Sequence, residues 1–140
     1  MMKNRVLGLS LLMAMSVPSF AENTSVIEAL KSKPNWGLIQ PGTMCIEHYR
    51  FLSNREILIQ SNQQRVTGTY SFISNENAFE LPAIVIHFET DNRKSDCSGI
   101  QADQSGTSTT NYLKRESNQK IFFCLDALGK NCPVYLRPEN

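Results

Sequence analysis

The sequence predicts a mainly β protein, a small antiparallel up-and-down β-barrel of about seven or eight strands with a short N-terminal helix. Three observations predict it. Successive segments alternate apolar and polar residues with a period of two, which sends neighbouring side chains to opposite faces of a sheet. Turn residues separate these segments at spacings of about ten residues. Only one stretch, opened by Ser25-Val26-Ile27-Glu28, makes a convincing helix.

The chain of 140 residues opens on a short basic stretch containing Lys3 and Arg5, followed by an apolar run over residues 6–17. Pro18 ends that run, and Ser19-Phe20-Ala21 supplies small residues before a cut. This order predicts a cleavable secretion signal over residues 1–21. The run of about a dozen residues is short for a transmembrane helix, which needs roughly 20. The expected mature domain spans 22–140, without a membrane anchor. Its length of about 120 residues suits one domain with a small core.

Ser25-Val26-Ile27-Glu28 has the form of a capping box, and Pro34 ends the helix that it starts. Asn35-Trp36-Gly37 and Gln40-Pro41-Gly42 read as irregular chain and a turn. Residues 43–52 form the first expected strand. Cys45, Glu47, Tyr49 and Phe51 share one face, taken as inward, and Met44, Ile46, His48 and Arg50 share the other. Ser53-Asn54-Arg55 turns the chain into a strand over 56–60. The next strand, 65–73, places Val66, Gly68, Tyr70 and Phe72 on one face. Further strands are expected over 79–90, 105–116, 120–126 and 132–137. Pro82 suits a strand beginning or an edge.

A helix followed by Asn35-Trp36-Gly37-Leu38 ahead of a β-meander resembles the start of lipocalin-type barrels. The resemblance covers those residues and the meander, and it brings no function with it.

The four cysteines Cys45, Cys97, Cys124 and Cys132 all follow the leader, and an even count in an exported domain implies two disulfides. A short hydrophilic turn over 128–131 favours Cys124–Cys132, and Cys45–Cys97 follows by elimination. No C-x-x-C pair supports zinc or redox chemistry. The net charge is +1 and no basic run occurs, so nothing marks a nucleic-acid footprint.

Catalytic patterns are equally sparse. The chain has two histidines, His48 and His87, and neither G-x-S-x-G nor H-E-x-x-H. His48 reads as a surface residue, and His87, within an apolar strand, as a core or edge residue. Asp91, Asn92, Ser95 and Asp96 offer oxygen ligands, but Arg93 and Lys94 interrupt them and a solvated turn is favoured over calcium. Glu47 is the most informative polar residue. An inward carboxylate must pair, with an arginine such as Arg65 or Arg115, or meet a ligand.

The expected function is non-enzymatic: an exported, inhibitor-like binding barrel that grips a protein partner of the envelope through loops such as 91–99 and 128–131. One alternative is a lipocalin-like carrier of a small apolar ligand, and another is an enzyme built around Glu47 and His87. Glu47, Tyr49, Tyr70 and His87 are the candidate ligand-binding residues. No cofactor, metal or nucleic acid is expected, and the expected location is the periplasm or outside the cell.

Overall fold

The computed structural model describes residues 14, 25–74 and 79–140. The secretion signal expected over residues 1–21 lies outside the described residues, apart from residue 14. Helix α1 spans Val26–Lys31 and is capped by Ser25, whose side chain accepts the Glu28 N–H at 3.2 Å. Eight strands follow: β1 (Asn35–Ile39), β2 (Ile46–Phe51), β3 (Glu56–Ser61), β4 (Gln64–Ile73), β5 (Ala83–Asp91), β6 (Ser108–Ser117), β7 (Lys120–Cys124) and β8 (Val134–Pro138). Each pairs antiparallel with the next, and β1 pairs with β8, so the sheet closes into a barrel. Closure leaves no unpaired strand edge.

The strand count settles at eight because β1 runs through the segment expected to be irregular. Trp36, Gly37 and Leu38 are buried in succession, so β1 shows no period-two pattern to read. Trp36 is fully buried, and its indole N–H lies 3.1 Å from the Leu30 carbonyl and 3.0 Å from that of Lys33. The helix is thereby fastened across one end of the barrel by the first strand.

The interior is filled by side chains. Leu38, Phe51, Ile57, Ile59, Val66, Ile84, Ile86, Leu113, Ile121, Phe123 and Leu136 join Trp36 and Leu30 in one cluster that every strand helps to build. At roughly 1.5–3 kcal/mol for each large apolar side chain buried, this cluster is the main term opposing chain entropy. The register between β4 and β5 shifts at Thr67/Gly68. A Cβ on Gly68 would lie 2.1 Å from the His87 carbonyl oxygen, so this close approach of two backbones requires glycine.

Both disulfides form as the spacing predicted. Cys45–Cys97 joins the start of β2 to the β5–β6 loop, and Cys124–Cys132 closes the β7–β8 loop. They indicate an oxidising extracellular or periplasmic environment. Among the described residues, no helix is long and apolar enough to cross a membrane.

Candidate functional site at the barrel mouth

In an up-and-down barrel, even-numbered strands start at the end where odd-numbered strands finish. α1 covers one end. At the other, the starts of β2, β4, β6 and β8 meet the ends of β1, β3, β5 and β7. A cavity of about 260 Å³ opens there. Its floor is apolar, formed by Leu38, Tyr49, Ile59, Val66, Phe88, Phe123 and Val134. Its rim is polar, formed by Glu47, Gln64, Asp96, Gln104, Thr109 and Asn111.

Glu47 lies inward at the start of β2, on the face that alternation predicted. Its carboxyl pKa is raised above the ordinary 4.5, mainly by burial, with the Asp96 charge adding to the rise and a hydrogen bond from Ser61 opposing it. The expected arginine partner is not what holds it. Arg65 is exposed, and Arg115 opposes Ile121 near the far end of β6, whereas Glu47 opposes Ser61 at the mouth end of β3. Ser61 is 2 % exposed, and its hydroxyl also accepts the Cys97 N–H at 2.9 Å. One serine thus joins the carboxylate to the disulfide-bearing loop.

That loop is held on several sides. The Ser95 carbonyl accepts the N–H groups of Gln63 and Gln64, both at 3.1 Å. The Asp96 carboxylate accepts the Ser98 N–H at 2.8 Å and the Ile100 N–H at 2.9 Å. Asp91 accepts the Gln64 side-chain amide and the Gln104 N–H, both at 3.0 Å. The oxygens weighed as calcium ligands therefore shape the turn itself. The second expected gripping loop, 128–131, folds against the wall instead. Leu81 donates its N–H to Ala127 O at 2.8 Å, and Lys114 donates to Gly129 O at 3.2 Å.

Tyr49 lies two residues along β2 from Glu47, its ring edge-on to Phe123 at 6.0 Å. Burial pushes its phenol pKa upward, and the Glu47 charge adds to the shift. The other two candidates stand elsewhere. Tyr70 belongs to the helix-covered end, beside Leu30, Phe51 and Phe72, with its hydroxyl 3.5 Å from the Leu52 carbonyl. His87 points outward from β5, exposed, with Nδ1 2.9 Å from Ser108 Oγ. The barrel wall therefore separates His87 from Glu47, and the two do not form one site. His48 is exposed as expected and meets the Glu139 carboxylate at 2.8 Å.

Gln64, Gln104 and Asn111 escaped the sequence reading because each enters the mouth from a different segment, and Asp96 reads as part of a solvated turn and not as a neighbour of Glu47. One signal pointed to Asp96: a Cys45–Cys97 bridge places its neighbour beside Glu47. The chain matches no known protein family, no curated protein and no solved structure.

Proposed function

We propose that this chain is an exported, non-catalytic binding protein of the periplasm or cell exterior, which grips a protein partner at the barrel mouth. The carrying observation is the mouth itself: a polar rim over an apolar floor, walled by a loop that a disulfide and several hydrogen bonds hold in place. A rigid scaffold presenting such a loop loses little entropy when it binds. The signal-like leader and the two disulfides support the exported location.

Two features favour this reading over its rivals. The mouth cavity, at about 260 Å³, falls below the roughly 300 Å³ at which pockets for drug-sized ligands begin. That disfavours a carrier. Both histidines lie outside the mouth, and the described cysteines are all bridged. The mouth therefore offers carboxylates, amides, hydroxyls and a phenol, without a histidine or a free thiol among the described residues.

Site-specific photo-cross-linking tests the proposal. A photoreactive residue would be placed at Gln104 in the mouth, at His87 on the wall and at Ser53 at the helix-covered end. Exposure to envelope extract should give a discrete protein adduct from the Gln104 position alone. Adducts from the wall or helix end, with none from the mouth, would overturn it.

A further inference from the structure

We propose that the partner protein presents an acidic segment, whose Asp and Glu side chains seat in a cationic hollow on the outer wall beside the mouth. This rests on the reading of the mouth end as the partner-binding end and names the chemistry of what docks there.

The hollow measures about 770 Å³. Arg65, Arg93 and Lys94 line it, with the amide side chains of Gln60, Asn62 and Gln101. Among the described residues no carboxylate lines it. Strand register explains its place. Gln60 opposes Arg65, and both are exposed because the next pair, Ser61 and Gln64, is buried inside the barrel. The Asn92 side chain then accepts the backbone N–H groups of Arg65 at 3.0 Å and Lys94 at 3.2 Å, which sets the loop against the strand.

Charge is the first observation. Arg65, Arg93 and Lys94 make no ion pair among the described residues. The neighbouring acids are engaged elsewhere. Asp91 and Asp96 accept backbone N–H groups of their own loop, and Asp103, which lies in the field of Arg93, accepts the Ser105 hydroxyl at 2.6 Å. Like charges gathered in a concavity focus a potential that draws in the opposite charge. A second hollow of about 360 Å³ shares Gln60 and Arg65 and adds Arg50 and the exposed Leu58, so the cationic surface continues down the wall of β2–β4. Glu139 on that wall is held by His48, and neither Glu56 nor Glu89 lines either hollow.

The second observation is apolar and independent of charge. Met44 is 99 % exposed, and Ile100, adjacent to Gln101, is 56 % exposed. The Cys45–Cys97 bridge ties their two loops together at this end. Arginine and methionine are both enriched at protein interfaces, which combine apolar contacts with polar ones. Other anions fit less well. Arginine forks and side-chain amides suit carboxylates. Single-stranded nucleic acids stack on aromatic rings, and no Phe, Tyr or Trp lines either hollow. A flat anionic bilayer would bridge a concave surface rather than fill it.

The test uses the disulfide-intact protein and a labelled, end-blocked hexaglutamate peptide, with hexaglutamine, inorganic triphosphate and phosphatidylglycerol vesicles beside it. Hexaglutamate should bind saturably and more weakly as salt is added. NMR shifts should centre on Gln60, Arg65, Arg93, Lys94 and Gln101. The triple variant Arg65→Gln/Arg93→Gln/Lys94→Gln should bind at least about tenfold more weakly. Lys33→Gln/Lys120→Gln/Arg137→Gln removes as much charge from another face and should stay within about twofold. Should the first triple variant fail to fold, Arg65→Gln alone should weaken binding by about threefold. Equal binding of hexaglutamine, equal loss in the two triple variants, shifts that map elsewhere or no binding would overturn the inference. Tighter binding of triphosphate, or binding to vesicles alone, would overturn it too. Cross-linking from Gln104 in envelope extract separates this from the broader reading. If the Arg65/Arg93/Lys94 variant keeps the full adduct, the mouth end binds a partner that is not recognised by acidity, and only this inference falls. If the native chain gives no Gln104 adduct, the partner-binding reading falls with it.

Discussion

The two ends of the barrel are built on opposite principles. At the helix end, a cavity of about 250 Å³ has largely apolar and aromatic walls. Leu30 and Trp36 are only 1 % and 0 % exposed, the indole N–H finds two carbonyls, and Phe51, Tyr70 and Phe72 meet edge to face. At the mouth, the part-buried Glu47 carboxyl lies within the field of Asp96, and the part-buried Tyr49 and Asn111 line a cavity open to solvent. On the proposed reading, the first end serves stability and the second serves binding. Regions that bind commonly give up local stability in this way.

Truncation should expose this contrast most strongly. Trp36→Ala removes the largest side chain of the helix end and is expected to cost about 3–5 kcal/mol. Tyr49→Phe removes a hydroxyl that makes no hydrogen bond among the described residues, and its effect should stay below about 1 kcal/mol. Urea unfolding with an unchanged m-value checks both. Comparable losses at the two positions would break the contrast.

Removing the Cys45–Cys97 bridge by double alanine substitution should be nearly as costly. For a bridge across 52 residues, chain entropy gives about 4 kcal/mol, against about 2.5 kcal/mol for Cys124–Cys132 across 8. The sharper readout is location. Hydrogen exchange should rise in the loop over 92–107, while the amides around Trp36 keep their protection at equal denaturant. A uniform rise would show that the bridge supports the whole barrel rather than the mouth.

The smallest effect concerns pH. Burial raises the Glu47 pKa above 4.5, so the folded chain holds that proton more readily than the unfolded chain. Its contribution therefore favours folding below the unfolded value and is lost as pH rises through the folded pKa. Asp103 and Asp126 behave oppositely. Hydrogen bonds lower Asp103, chiefly from the Ser105 side chain, and lower Asp126, chiefly from the Lys130 and Asn131 N–H groups. Their contributions are present above the unfolded value and are lost as pH falls through the folded pKa. Glu47→Gln should thus gain on the native chain as pH rises from 4.5 and keep the acid-side decline. A pH-independent gap between their unfolding midpoints would contradict this assignment.

Much of this architecture was legible in the residues. The alternation of Val66, Gly68, Tyr70 and Phe72 located β4, and that of Glu47, Tyr49 and Phe51 chose the inward face of β2. β1 escaped because Asn35-Trp36-Gly37 carries a turn-forming glycine and three buried residues in a row. Gly37 is covered from outside, with Ile46 and Glu139 each 3.1 Å from where its Cβ would stand. Half of that cover, Glu139, comes from chain more than 100 residues away, beyond the reach of any local pattern. Strand ends also moved. β5 begins at Ala83 rather than 79, since the backbone around Pro82 serves β6 by accepting the Leu113 N–H at 2.8 Å. Of the mouth, sequence located Glu47 and Tyr49 through period two, whereas Tyr70 shares the inward alternation but sits at the other end. Alternation reports the face of a wall and not the height along the barrel. His87 shows a related limit, because its apolar neighbours Ile86 and Phe88 face inward while it faces out.

The pairing of β1 with β8 has a consequence for how the molecule is assembled. Glu139 donates its N–H to the Asn35 carbonyl at 2.9 Å, so the final strand completes the first. The other seven pairings join neighbours in sequence, while this one closes a loop of roughly 100 residues. Until residues 134–138 are in place, the sheet is an open ribbon with two sticky margins. Closure therefore waits on β8, which acts as the latch of the whole cylinder.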